Sequence, residues 1–452
     1  MSWLNLFSER IRKLFFCLIN LRSNYRLLCL LKQDVCVFKQ EIEFQKQLHT
    51  RTISVVEESV KFRALSNKKI RIFLCINYVE FHSIYKGLYV LLEKDPFFEV
   101  YFFLLPQFSY GEAFMEYNYR RLFSYYSSAN MKFIGGWENG EFIDIYSLKP
   151  DLVFYVTPIS ANFHPLQRAT YVSNFSLVCF IPYGFLSADS DEYHYNSDIH
   201  AVCWRVFCET PFHFDKNNAY FPNSPNRVVL TGYPVLDAYK DPEYIIKDKL
   251  LKDIRHSFRK VVVWAPHWSI DGICSVTNTG NFDKYYKDFF RILDKFPEIS
   301  FVFRPHPNLR RAVQNAGIMT ESEFDAYVIN WDQRQNGFSY LSEEYIDLFL
   351  ISDAMILDSV GFVCDYLPSK RPALFLEKLN RSKFNTLASK VVNSYYSAFH
   401  FSEIENFLQL VVLEEKDPKK EERLTLIPDV LCCSQLSRVL IYEHIKSTVN
   451  PT

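Results

Sequence analysis

The sequence predicts an α/β protein of two Rossmann-like domains facing across a cleft, preceded by a helical extension. Three observations predict it. Short runs of β-branched and aromatic residues alternate with stretches of helical periodicity, the pattern of a parallel sheet covered on both faces. That pattern ends near residue 245 and restarts near residue 260. The residues with unusual chemistry stand just after predicted strands, where open α/β sheets bind their ligands.

Residues 1–66 are the extension. They read as helix, with Leu, Phe and Ile on one side and Arg10, Arg12, Lys13, Arg22 and Arg26 between them. Trp3, Phe7, Phe15 and Phe16 lie near the start. A basic amphipathic helix of this kind either lies in a membrane interface, through residues 1–30, or packs on a protein surface. Residues 67–245 form the first domain. Residues 69–77 are a buried strand, a helix follows to Lys94, and 98–105, 151–156, 176–182 and 227–231 are further strands. After a polar, charged stretch at 240–260 the second domain, 246–452, begins again with strand 261–265. A helix at 282–295, strands at 299–303, 354–357 and 373–376, and terminal helices complete it.

Composition narrows the function. Hydrophobic residues make up 48% of 452, enough for two sizeable cores, and the net charge of −1 sets up no global field for nucleic acid. No basic stripe interleaves with aromatics beyond the N-terminal helix, so no nucleic-acid partner is expected. The 11 cysteines are scattered without a C-x-x-C, so neither zinc nor a disulfide framework is expected. No apolar run reaches the roughly 18 residues that span a bilayer. No G-x-S-x-G marks a serine hydrolase. The expected location is cytoplasmic, with no cofactor and no metal.

Four predicted strand ends carry chemistry. Arg304-Pro-His-Pro307 follows 299–303. Its prolines stiffen the loop, Arg304 offers a planar fork suited to phosphate, and His306 titrates near neutrality. Asp358-Ser359-Val360-Gly361 follows 354–357. There Asp358 or Ser359 is expected to cap a helix whose first N–H groups face a diphosphate, with Gly361 allowing close approach. His267, in Ala265-Pro-His-Trp268, stands at the edge of the cleft. Thr231-Gly232-Tyr-Pro-Val-Leu-Asp237 makes a tight turn that closes the first domain.

Taken together, Arg304-Pro-His-Pro307, Ser352-Asp353 through Asp358, Asp365-Tyr366 and Arg371-Pro372 resemble the CDP-glycerol glycerophosphotransferase family. Thr231-Gly-Tyr-Pro and Ala265-Pro-His-Trp268 resemble its T-G-Y-P-R and A-P-T-W/Y elements, and the matches run in order over residues 176–377. These enzymes build teichoic acids and related capsule polymers. The resemblance implies the two-domain glycosyltransferase-B fold, with acceptor in the first domain and nucleotide donor in the second. It implies transfer of an alcohol phosphate from a CDP-linked donor to a hydroxyl of a lipid-linked or glycan acceptor, at the cytoplasmic face of the membrane. Two departures stand out. The family's W-H-G-T-P is matched by Phe180-Ile-Pro-Tyr183-Gly184, so Tyr183 replaces a histidine taken as catalytic. Its T-D-Y-S-S becomes Leu357-Asp-Ser-Val-Gly361, with one hydroxyl fewer.

The expected catalytic residues are therefore His306, Arg304, Tyr183 and His267. The expected substrate-binding residues are Asp358, Ser359, Val360, Gly361, Gly184, Thr231 and Gly232. His306, His267 and Tyr183 compete for the role of acid or base. Two other functions remain open: a nucleotide-sugar glycosyltransferase or epimerase on the same fold, and a non-catalytic scaffold of a capsule-assembly complex.

Overall fold

A computed structural model describes residues 49–450, apart from 109–110, 222–225, 271–277 and the side chain of Glu192. The chain divides into two compact units, 1–55 and 56–452. The first is described only from residue 49, where 49–55 are helical and Ser54 Oγ donates to Thr50 O at 3.1 Å. Of the basic helical extension expected over residues 1–66, residues 1–48, which include the membrane contact expected over 1–30, lie outside the described residues. The second unit carries both sheets and the residues of the site.

Both sheets are parallel. The first comprises β1 (Ile70–Ile76), β2 (Phe98–Leu104), β3 (Phe133–Gly135), β6 (Leu152–Tyr155), β7 (Leu177–Phe180), β8 (Arg205–Cys208) and β9 (Val228–Leu230). Their spatial order is β3-β2-β1-β6-β7-β8-β9, and a small antiparallel hairpin, β4 (Trp137–Glu138) with β5 (Glu141–Phe142), lies outside it. The second sheet comprises β10 (Lys260–Ala265), β11 (Ile299–Phe303), β12 (Gly337–Ser339), β13 (Ala354–Leu357), β14 (Ala373–Leu376) and β15 (Tyr396–Ala398), in the order β12-β11-β10-β13-β14-β15. Each chain path starts mid-sheet, runs outward, then returns and runs the other way. The order therefore reverses beside β1 and β6 in one sheet and beside β10 and β13 in the other. Ligand crevices form at such points.

Burial explains why these segments are strands. Val261 to Ala265 and Phe301 to Phe303 are buried on both faces, as central parallel strands must be, which is why they read as unbroken apolar runs. Trp264 stacks on Phe289 with ring centroids 3.6 Å apart and packs on Phe303 and Trp331 at 5.1 and 5.7 Å. This aromatic core fixes β10 and β11 just before the turns that carry His267 and His306.

The first half carries helices α1 (His82–Lys94) and α2 (Glu112–Ser128), and the second carries the short α3 (Phe362–Tyr366) directly after β13. Helix α4 (Ser437–Val449) ends the described chain and returns to the first half. There Tyr442 Oη and Lys446 Nζ both donate to Asp95 Oδ2 at 2.7 Å, and Arg205 Nε donates to His444 Nε2 at 2.9 Å. The expected helix over 282–295 is broken into Phe282–Tyr285 and Asp288–Lys295. No helix among the described residues is long and apolar enough to cross a membrane.

Candidate functional site

The second sheet's reversal point builds the site. The β10 and β13 ends lie side by side, since Ala265 pairs with Leu357, and the next residues carry the chemistry. Asp358 is fully buried, and its two oxygens accept from backbone N–H groups of two separate loops: His267 N at 2.6 Å and Asn281 N at 2.6 Å. Gly280 makes this possible, because a Cβ there would sit 2.6 Å from His267 O. Burial pushes the Asp358 carboxyl up to about 7, against the pull of its two N–H donors. Asp358 therefore positions the His267 loop.

This corrects the expected cap. Helix α3 begins at Phe362, its N-cap is Gly361, and no side chain caps it. The Asp358 oxygens instead hold the two loops. At five residues α3 is also too short for a strong dipole. Ser359 and Val360 are buried at the turn between β13 and α3, and a Cβ on Gly361 would meet nothing within 4 Å.

Arg304 and the two histidines form one cluster. The β11 backbone continues alongside β10 past the strand end, with Arg304 N donating to Trp264 O at 2.8 Å and His306 N to Pro266 O at 3.0 Å. This register brings the His267 and His306 rings to 5.0 Å, nearly perpendicular. The Arg304 guanidinium is buried, spends Nη1 on Pro305 O at 3.0 Å, and leaves Nε without a partner. A buried cation with an unpaired donor is costly unless an anion completes it.

The hydrogen bonds also fix the histidine tautomers. His306 Nδ1 accepts from Asn308 N at 3.1 Å, and His267 Nδ1 accepts from Ser269 N at 3.2 Å. With Nδ1 accepting there, the Ser269 hydroxyl donates to the same nitrogen at 2.7 Å while its oxygen accepts from Thr279 N at 3.1 Å. In both rings the proton is therefore on Nε2. Burial holds His267 down at about 3. His306 is held well below its ordinary value by burial, with the charges of His267 and Arg304 adding to it. Both are neutral Nε2–H donors near neutral pH.

The first half contributes Tyr183, whose ring is half exposed and lies 5.4 Å from Phe81. Its carbonyl accepts from Tyr233 Oη at 3.2 Å, and beside it a Cβ on Gly184 would meet open space. The two halves are stitched directly beyond this turn: Asn385 N donates to Ser187 O at 2.9 Å and Asp189 N to Lys383 O at 2.9 Å.

Thr231 and Gly232 have packing contacts instead. The Thr231 hydroxyl donates to Gly232 O at 3.2 Å, and Gly232 has φ +80 with Ser437 Oγ 2.7 Å from where a Cβ would lie. Asp237 then accepts the first N–H groups of α4, from Ser437 at 2.6 Å and Arg438 at 3.0 Å. The Thr-Gly-Tyr-Pro…Asp motif is thus a seat for the last helix. Gly232→Ala is expected to cost roughly 1–3 kcal/mol of stability from strain and overlap, measured by urea unfolding, with nucleotide affinity unchanged.

Sequence reasoning passed over Ser269 and Asn281. Ser269 and Asn281 act on other residues of the site, and no motif announces them.

Solved structures resemble this fold at low identity. S. aureus MnaA bound to UDP shares 13% identity over 83% of this chain and 96% of its own, with a TM-score of 0.54. A variant of the wall teichoic acid polymerase TagF shares 13% over 90% and 97%, with a TM-score of 0.56. UDP-GlcNAc 2-epimerase from Neisseria meningitidis bound to UDP-GlcNAc shares 15% over 83% and 100%, with a TM-score of 0.53. At these identities the likeness is one of fold, the two-domain glycosyltransferase-B type. No curated protein matches the chain in sequence. Residues 209–384 match the family model described as CDP-Glycerol:Poly(glycerophosphate) glycerophosphotransferase, the family whose motifs the sequence resembles.

Proposed function

We propose that this protein transfers an alcohol-phosphate group, glycerol phosphate or a close relative, from a CDP-linked donor to a hydroxyl of a lipid-linked or glycan acceptor. The observation that carries the reading is the buried, half-satisfied Arg304 guanidinium beside two neutral imidazoles, each with a proton on Nε2. Three such donors suit the negative charge of a diphosphate, and stabilising that charge is the main task in phosphoryl transfer. The second half, from about residue 246, holds the donor, and the first, 67–245, receives the acceptor past Tyr183 and Gly184. His306 acts here as a hydrogen-bond donor to phosphate. The Ser359 hydroxyl and the open space at Gly361 are in place to admit the donor's phosphates. Work at the inner membrane face would bring the enzyme to a lipid-linked acceptor.

The test is nucleotide release. Purified protein, with membranes or a lipid-linked glycan primer, is offered CDP-glycerol, CDP-ribitol and a panel of UDP-sugars. CMP release is expected, and His306→Ala is expected to lower it roughly 10²-fold, the effect of losing one oriented donor. UDP release in place of CMP would move the protein to the glycosyltransferases. Tight nucleotide binding without release would make it a scaffold.

A further inference from the structure

The proposed transfer needs a group that accepts the proton of the attacking hydroxyl, and the histidines do not offer one. Each has its Nδ1 lone pair engaged by a backbone N–H and its Nε2 protonated. A ring in that state donates to phosphate but has no free lone pair for a proton. The base must therefore come from elsewhere around the cleft.

The first sheet's reversal point supplies a candidate. Past β1, β2 and β6 lie Asn77, Gln107 and Thr157, an amide and hydroxyl network. Asn77 Nδ2 donates to Gln107 Oε1, Thr157 Oγ1 donates to Asn77 Oδ1 at 3.2 Å, and Asn118 Nδ2 donates to Asn77 O at 2.7 Å. None of these groups titrates. Three residues further on is Glu80. Its Oε1 lies 2.8 Å from Arg121 Nη2 on α2, which holds the carboxyl group in place. Its Oε2 is buried and has no hydrogen-bond partner. Among the charges acting on the Arg304 guanidinium, that of Glu80 is the strongest. The adjacent Phe81 ring packs on Tyr183. Glu80 thus bears electrostatically on Arg304 in the second half and is the chain neighbour of Phe81, which packs on Tyr183 in the first.

Glu343 is the other carboxylate acting on Arg304, and it differs in one respect. It also binds Arg121 Nη2 at 2.8 Å, but its side chain is 31% exposed against 17% for Glu80. Glu343 therefore serves as the far end of a bridge between the halves, as Glu344 does with Lys86 at 2.7 Å.

We infer that Glu80 is the general base of the transfer, its unpartnered Oε2 taking the proton of the acceptor hydroxyl. The inference rests on the proposed function. As the acceptor oxygen bonds to the donor's β-phosphorus, the bond from that phosphorus to the bridging oxygen breaks. The electron pair leaves with CMP, and the hydroxyl proton passes to Glu80. The hydroxyl also gives Oε2 the hydrogen bond it lacks.

The experiment compares wild type, Glu80→Gln and Glu343→Gln. Rates are read as CMP release against pH, with CMP affinity measured separately by calorimetry. Glu80→Gln keeps the shape and the Arg121 contact but not the basicity. It is expected to lower kcat by about 10²–10⁴, to leave CMP affinity within about threefold, and to abolish the acidic limb of the kcat/KM profile. Glu343→Gln, which removes the other partner of Arg121, is expected to stay within about threefold of wild type. A Glu80→Gln enzyme with near-normal kcat and an intact acidic limb overturns the base alone. Equal losses in both variants overturn it in favour of an Arg121 anchor. If wild type releases UDP and not CMP, the phosphotransferase reading fails, and the same variants judge the base on that donor. A wild type that turns over no donor overturns both.

Discussion

Replacing Arg304 by methionine is expected to lower kcat/KM for the nucleotide donor by about 10³ while raising, or at least not lowering, the thermal midpoint. The two effects have one cause. The guanidinium is buried, has one hydrogen bond to its neighbour's carbonyl, and leaves Nε unpaired. In the free protein that arrangement costs stability, because the loss of water around the cation outweighs what the surrounding charges return. Burial accordingly lowers the Arg304 pKa, opposed by the charges of Glu80 and Glu343. With a diphosphate bound, the same donors meet charge in a water-poor site, where one oriented donor contributes on the order of 10²–10³ in rate. Arginine presents more than one, and lysine cannot reproduce the fork. Methionine keeps the length of the stem and removes the desolvation cost. Donor kinetics and calorimetry on one preparation check the pair of effects. A variant that loses activity and stability together would show that the guanidinium holds the fold, and the trade expected of a functional cation would be absent.

The sequence carried the fold where strands are central and buried on both faces. Strands 299–303, 354–357 and 373–376 were read with the bounds the structure gives, because their neighbours dictate unbroken apolar runs. Strands β3, β12 and β15 were missed, and β8 was not distinguished. The first three are three-residue edge strands containing Gly or Ser, and β8 opens on Arg205, so composition alone does not mark them. The break at Tyr286 and Lys287 escaped for a related reason, since both residues fit a helical pattern.

The site was legible in position but less so in role. The strand-end rule located Arg304, His306, His267 and the 358–361 turn, and the structure brings the first three together around the reversal point. What composition cannot convey is which lone pair is already spent. His306 looked like a candidate base until Asn308 N was found on its Nδ1. Asp358 looked like a helix cap until both its oxygens were found on backbone donors 77 and 91 residues away. The Thr231 to Asp237 motif looked like cleft lining, whereas its Asp237 receives a helix about 200 residues further on. Each of these depends on a long-range partner, and a local pattern carries no information about such a partner.

Asp358 gives the second large effect, and its sign discriminates between two forces. Burial raises the carboxyl to about 7, while the two N–H donors at 2.6 Å favour the ionised form. If burial prevails, the folded-state value lies above the unfolded value of about 4. Between those limits the folded protein holds a proton that the unfolded chain has released. The stabilisation is then full below about pH 4 and is lost as the pH rises through about 7, a change on the order of a few kcal/mol. Asparagine at this position has no such titration. It also turns its NH₂ toward one of the two backbone N–H groups, leaving that group unpaired at roughly 1–3 kcal/mol. Asp358→Asn is therefore expected to be less stable than wild type at low pH, by that roughly 1–3 kcal/mol, with the deficit shrinking or reversing as the pH rises through about 7. The wild type's advantage should be greater at pH 5 than at pH 8, with other titrations cancelling between the two proteins. Urea unfolding at both values measures it. A gap that widens with pH would mean that the two N–H donors outweigh burial and that Asp358 works as a carboxylate. In either case the His267 loop loses one of its anchors, so CMP release should fall in the variant even where it remains folded.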